Sequence, residues 1–204
     1  PLSEQTAILV ARDISDRVLA EAAQKRRATM DRLLGDISRA FLDQDIDTAI
    51  DFTLSKIGEY TESDRSYITR FYEQQRYLSM THEWCAKTAF PQTELVQEIP
   101  VETFPWMYEQ LLLGKTVLID DVDNLPIQAV ADKIALNRLS TRSLINIPLL
   151  HRNQLVGCIG LVTAYAAKQW SEEEIDLINL AGERVATGLP RKDAEVDKQN
   201  ALSL

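Results

Sequence analysis

The side chains able to do chemistry are few and scattered. Cys85 and Cys158 stand alone, with no C-x-x-C pair and no framework spacing. That usage points to a reducing, cytoplasmic compartment rather than a disulfide scaffold. A thiol reacts as its thiolate, so Cys85 is redox-active only where its surroundings stabilise that form; an inert buried thiol is the alternative. The two histidines, His82 in a strand-like stretch and His151 in a hairpin-like turn, are too few for a Ser/His/Asp arrangement. Asp120, Asp121 and Asp123 crowd one loop but lack the alternating ligands and glycine of a calcium loop, and helix capping accounts for them. Lys25-Arg26-Arg27 is balanced by acids on neighbouring turns and reads as a solvated helix face. No catalytic set and no metal site is expected.

The chain of 204 residues is 45% hydrophobic and 26% charged, a globular composition with room for one sizeable domain and flanking segments. Lys and Arg number 22 against 31 Asp and Glu, a net charge of −9. An acidic surface repels phosphate backbones, so no nucleic-acid partner is expected. The acidity is local. Residues 12–45 hold seven basic and seven acidic side chains, whereas residues 46–190 hold twelve and twenty. No apolar run approaches the roughly 20 residues that span a bilayer, so no membrane contact is expected. No secretory signal opens the chain, which begins at Pro1 as an excised fragment would.

The elements that must position these residues follow from periodicity. Ala7–Val10 reads as a short strand. A long helix then carries Leu19, Ala23, Arg26, Met30, Leu33, Ile37 and Ala40 at alternating spacings of four and three. This heptad seam predicts a two-stranded coiled coil over 18–43; an amphipathic helix on its own domain is the alternative. A second helix is expected over Ile46–Tyr60, then strands over Ser66–Tyr72 and Arg76–Cys85 joined by Glu73-Gln74-Gln75. Residues 86–103 have no clear period and read as a long connection of the kind that borders a site. A helix over Pro105–Leu113, a strand over Thr116–Ile119 and a helix from Pro126 to Arg138 come next. Strands Ser143–Leu150 and Leu155–Ala164 form a hairpin through residues 151–154. The small residues Gly157, Cys158 and Gly160 let something approach that sheet closely. Ser171 and Glu174 make a capping box for a last helix with the seam Ile175, Ile178, Gly182, Val185, Leu189, which Pro190 stops or kinks. The order predicts an α+β domain: an antiparallel sheet of five or six strands with helices on both faces, preceded by a long linker helix.

In their order these pieces resemble a GAF domain over about Leu33 to Leu189. The residues that carry the resemblance are His82-Glu83-Trp84-Cys85, Gly114 to Val122 before Leu125-Pro126, Ser143 to Leu149, Leu155 to Gly160, and Trp170 to Ile175 with the helix to Leu189. Residues 10–21, including Val10-Ala11-Arg12-Asp13-Ile14, are similar to the closing strand and exit helix of a PAS domain. The implied layout is a PAS end over 1–17, a helical linker over 18–43, a GAF domain over 44–189 and a polar connector over 190–204. The longer protein would be a bacterial sensor histidine kinase or diguanylate cyclase.

The resemblance implies a small-molecule pocket involving Trp84, Cys85, Phe104, Trp106, Ser143 and Ile145, together with residues 86–103 and 116–138. Core filling is the competing reading for these aromatics. Bilin-binding members attach chromophore through a Cys often followed by His; here Ala86 follows Cys85 and Ile159 follows Cys158. Haem would need a His ligand, for which His82 is the candidate. The Asn-Lys-Phe-Asp-Glu set of cyclic-nucleotide-binding members cannot be assembled. The cofactor is therefore left unknown. The expected function is a non-catalytic sensory or regulatory domain, homodimeric through Leu19, Ala23, Met30, Leu33 and Ile37 of the first helix and Ile178, Val185 and Leu189 of the last. The alternatives are a ligand-free dimerisation module and a Cys-based reductase of free methionine sulfoxide.

Overall fold

The computed structural model describes the backbone of residues 4–202 and the side chains of Glu21 and residues 24–189. The chain divides into two compact units, residues 1–36 and 37–204. The described residues of the first unit, 4–36, belong to helix α1 (Glu4–Asp43). The strand expected at Ala7–Val10 is therefore helix. Its apolar run carries β-branched residues, but four residues are too few to override a helical continuation without a pairing partner.

The second unit is an α+β domain. Helix α2 (Ile46–Tyr60) begins at Asp45, whose carboxylate accepts from Thr48 N at 3.0 Å. That cap holds the Asp45 carboxyl below its ordinary range, the Thr48 hydroxyl acting most strongly. The strands are β1 (Arg65–Tyr72), β2 (Tyr77–Cys85), β3 (Ile99–Pro100), β4 (Val117–Ile119), β5 (Ser143–His151) and β6 (Gln154–Thr163). They form one six-stranded sheet in the order β3-β2-β1-β6-β5-β4, every pair antiparallel. The connection 86–103, expected to be irregular, thus contributes a short edge strand. Both expected hairpins form. Glu73, Gln74 and Gln75 turn with φ of 48°, 58° and 66°, and Arg152-Asn153 with 49° and 66°. These left-handed positions are taken without glycine.

Helices α2 and α5 (Glu172–Leu202) cover one face of the sheet. Helices α3 (Pro105–Leu112) and α4 (Val130–Arg138) cover the other. The α5 capping box forms as expected, with Ser171 N donating to Glu174 Oε2 at 2.9 Å and Glu174 N to Ser171 Oγ at 3.3 Å. Pro190 does not stop this helix, which runs on to Leu202. Gly182 meets Ile147, Leu149 and Ile159, and Gly188 meets Phe41 and Ile46, so α5 lies close to the sheet and to the end of α1.

That packing corrects the expected dimer seam at Ile37, Ile178, Val185 and Leu189. Ile37, Ile178, Val185 and Leu189 are at most 1% exposed in the single chain, and Leu33 is buried too. Ile37, Ile178, Val185 and Leu189 fill the second unit's own interior, which is the amphipathic-helix alternative, and are not open to a partner. Met30 is half-buried and Arg26 exposed; the side chains of Leu19 and Ala23 lie outside the described residues. Among the described residues no helix is long and apolar enough to cross a membrane.

Candidate ligand pocket

The α3–α4 face of the sheet is not filled solid. It leaves a cavity of about 70 Å³, smaller than the roughly 300–1,000 Å³ of typical ligand sites. Its floor is Arg65, Tyr67, Thr69 and Phe71 of β1, Cys158 and Val162 of β6, and Leu144 and Asn146 of β5. Leu78 and Met80 of β2, with Gln92 and Val96, form one wall. Phe104, Met107, Tyr108 and Leu111 roof it, and Leu136, Leu139 and Thr141 close the end by α4.

Strand alternation explains the floor. Residues 65, 67, 69 and 71 point one way, while Ser66 and Ile68 point towards α2 and α5. In β6, Gly160 leaves room for a polar pair crossing the sheet. Tyr67 Oη donates to Asn146 Oδ1 at 2.9 Å, and a Cβ on residue 160 would sit 2.1 Å from that oxygen and 2.3 Å from the Tyr67 ring. This pair is what the small residues of β6 admit. Burial, then the nearby Cys158, raises the Tyr67 phenol far above its ordinary range, so it stays a donor. Thr69 Oγ1 lies 2.9 Å from Cys158 Sγ.

The roof is held by a buried acid. Asp132 of α4 accepts from Met107 N at 2.9 Å and Trp106 N at 3.2 Å, the first turn of α3. Phe104 at the helix start offers no capping side chain, so Asp132 serves in its place. Burial pushes its carboxyl up, partly offset by those N–H bonds. Tyr108 Oη donates to Gln75 O at 3.2 Å and ties the roof to the β1–β2 turn.

Of the six pocket residues expected, only Phe104 lines the cavity. Trp106 packs half-buried against the same core without reaching it. Ser143 and Ile145 have the wrong parity. Ser143 accepts from Trp170 Nε1 at 3.0 Å on the α5 face, while the alternate residues Leu144 and Asn146 enter the pocket. Trp84 is displaced by a bulge: Ile68 pairs with His82 and Thr69 with Met80, leaving Thr81 unpaired. Beyond it the alternation flips, so Trp84 sits against Gly58 of α2 and His82 Nε2 meets Asp47 Oδ1 at 2.9 Å. His82 is thus directed away from the pocket. Cys85 is half-buried beside it, across from Arg65, and does not line it.

Burial, then Glu83, pushes the Cys85 thiol up to about 11, and burial pushes Cys158 up to about 11. The Asp120–Asp123 loop is held by cations of the chain itself. Arg142 Nη2 meets Asp121 Oδ2 at 2.8 Å, Arg142 Nη1 meets Asp123 Oδ2, and Lys133 lies 3.5 Å from Asp123 Oδ1. Asp121 Oδ1 also accepts from Asp123 N at 2.9 Å, the capping role expected.

The model of the GAF domain family matches residues 45–189, most of the chain. The chain belongs to the GAF domain family. Among curated proteins, this GAF domain is similar to the methanogenesis regulatory histidine kinase FilI of Methanothrix harundinacea (strain 6Ac). The two are 24% identical over 196 residues, 92% of this chain but 21% of the kinase. The chain therefore spans about a fifth of that relative's length. Among solved structures, the wild-type phytochrome photosensory core module of Stigmatella aurantiaca superposes with a TM-score of 0.70 at 16% identity, covering 86% of this chain and 39% of that one. The phycocyanobilin-bound GAF domain of a cyanobacterial phytochrome gives 0.68 at 17%, covering 81% and 96%. These likenesses show the GAF fold.

Proposed function

We propose that this GAF domain is a non-catalytic sensor, cytoplasmic and part of a longer signalling protein. A small molecule enters the pocket under α3 and α4, and the change in packing passes through α1 and α5 to flanking modules. The observation that carries this reading is the pocket itself. A face built for stability alone would be filled with Leu and Ile, whereas here Arg65, Tyr67, Thr69 and Asn146 are buried around open space. The histidine kinase relative supports a two-component setting. Within residues 4–17 the PAS-like reading keeps its exit helix and loses its closing strand.

Solved relatives hold biliverdin or phycocyanobilin. The thiol lining this pocket, Cys158, is buried, bonded to Thr69 and raised to about 11, which disfavours covalent attachment at neutral pH. The same shift at both cysteines disfavours the reductase reading, because a redox thiol needs its thiolate. With Ile37, Ile178, Val185 and Leu189 buried, a homodimer would use the outward sides of α1 and α5, where Leu42 is 84% and Leu180 41% exposed.

The test is mass spectrometry of small molecules released from the protein purified from its native host, with a thermal-shift screen of the emptied protein. A retained compound that raises the melting temperature and is lost on filling the pocket with Leu111→Trp supports the sensor. No retained compound and no stabilising ligand would favour the ligand-free dimerisation module.

A further inference from the structure

We propose that the pocket selects acids: small molecules with an apolar body and a carboxylate head that pairs with Arg65. This deepens the sensor reading and rests on the pocket being a ligand site. Arg65 opens β1, lines the pocket and is only 4% exposed. Its Nη2 donates to Leu139 O at 3.0 Å and Ser140 O at 3.5 Å, the carbonyls just beyond α4. Among the described residues its Nε and Nη1 make no hydrogen bond, and no carboxylate forms an ion pair with it. Those donors are not sealed off either; the sealed, unpartnered side-chain atom among the described residues is Glu83 Oε1.

This buried guanidinium has no carboxylate within ion-pair distance among the described residues, so its remaining N–H groups lack a direct ionic partner. A carboxylate supplies one and matches its planar fork with two parallel bonds. Two polar side chains share that end of the cavity. Gln92 Nε2 donates to the same Leu139 carbonyl at 2.7 Å, and Thr141, buried at the lining, has a hydroxyl with no hydrogen bond among the described residues. The remainder of the wall, including Leu78, Met80, Met107 and Leu111, is apolar and suits a hydrocarbon or aromatic body.

The chain's own nearest acid on this face does not fill the role. Glu83 pairs with Tyr67 and is therefore diagonal to Arg65, which pairs with Cys85. Its Oε2 is held by Gln92 N at 2.7 Å, Thr93 N at 2.9 Å and Thr93 Oγ1 at 2.7 Å. Glu83 thus fixes the 92–93 turn through Oε2, while its Oε1 makes no hydrogen bond and forms no ion pair with Arg65. The plainer role for Arg65 is to cap the α4 end, where a cation favours the exposed carbonyls; that role uses Nη2 alone.

The test is calorimetric titration of the 204-residue chain at neutral pH with octanoate and 4-phenylbutanoate against octanamide and 4-phenylbutanamide. The acids should bind tighter than the amides by roughly tenfold or more. Arg65→Met should abolish that preference while leaving amide binding in place, and Arg65→Lys should keep a reduced preference. Equal binding of acids and amides would overturn the proposal, leave the pocket a ligand site, and return Arg65 to a capping role. Binding of neither class would overturn both the proposal and the sensor reading beneath it. If Arg65→Met does not fold, the acid-to-amide ratio in the wild type and in Arg65→Lys decides.

Discussion

On the α2–α5 face, Ile68, Ile145, Ile159 and Leu161 are fully buried and meet Ile50, Leu54, Leu177 and Ile178, equally buried, among the helices above them. On the opposite face the same strands present Arg65, Tyr67, Thr69, Asn146 and Cys158 to a cavity roofed by two short helices. The first face is a dry interior of branched side chains at van der Waals contact, the arrangement that stabilises and transmits displacement. The second accepts the cost of burying polar groups and holds space in return. Each strand supplies both faces by alternation, so the division of labour is drawn residue by residue.

The largest expected effect sets the faces directly against each other. Leu161→Ala on the dry face should cost about 3–4 kcal/mol in urea unfolding, whereas Leu78→Ala at the pocket wall should cost about 1–2, because it enlarges space already present. Equal losses would mean that the pocket face is packed as tightly as its counterpart.

Asp132 comes next. Asp132→Ala should cost about 1–2 kcal/mol by leaving the Trp106 and Met107 amides without their acceptor. The pH dependence has a defined sign. Burial raises this carboxyl above its ordinary 3.8, so the folded state keeps a proton that the unfolded chain has lost. Its stabilising contribution is full below that value and declines as pH rises through the raised one. Asp132→Asn should flatten that decline in urea midpoints as pH rises above the ordinary carboxyl range; an unchanged slope would place the titration elsewhere.

Tyr67→Phe should cost about 1 kcal/mol, through loss of the bond to Asn146. The smallest effect lies outside both faces. Leu180→Glu and Leu42→Glu should leave the melting temperature within about a degree, since surface changes are nearly neutral, yet shift light scattering from dimer to monomer. Scattering from a monomer in the unmutated chain at every concentration would remove the dimer proposal.

The fold was legible in the sequence because it rests on period and punctuation. The Ser171–Glu174 box, the stop at Gly114 and the two hairpins all form. The pocket was legible in location but not in membership. Ser143 and Ile145 were chosen over Leu144 and Asn146 because a strand buried on both faces, such as Ser143–Leu149, shows no apolar–polar alternation to say which side is which. Trp84 was misplaced by the bulge at Thr81, which leaves no mark in residue type. No signal in the sequence marks Arg65, since its burial depends on chain arriving 74 residues later at Leu139. Gly160 was the available signal: a glycine facing the floor pointed to the neighbours it accommodates. At Ile37 the heptad seam packs into the domain itself, and spacing alone does not identify a helical stripe's partner.

The central claim is that the α3–α4 face binds ligand and the α2–α5 face does not. Methyl-labelled NMR reads both faces in one spectrum. Titration with a mixed library of small acids, amides and aromatics should move the methyls of Leu78, Met80, Met107, Leu111 and Leu136. Those of Ile57, Ile68, Ile159 and Leu177 should stay nearly still. Shifts confined to the second group, or absent from the first, would contradict the account.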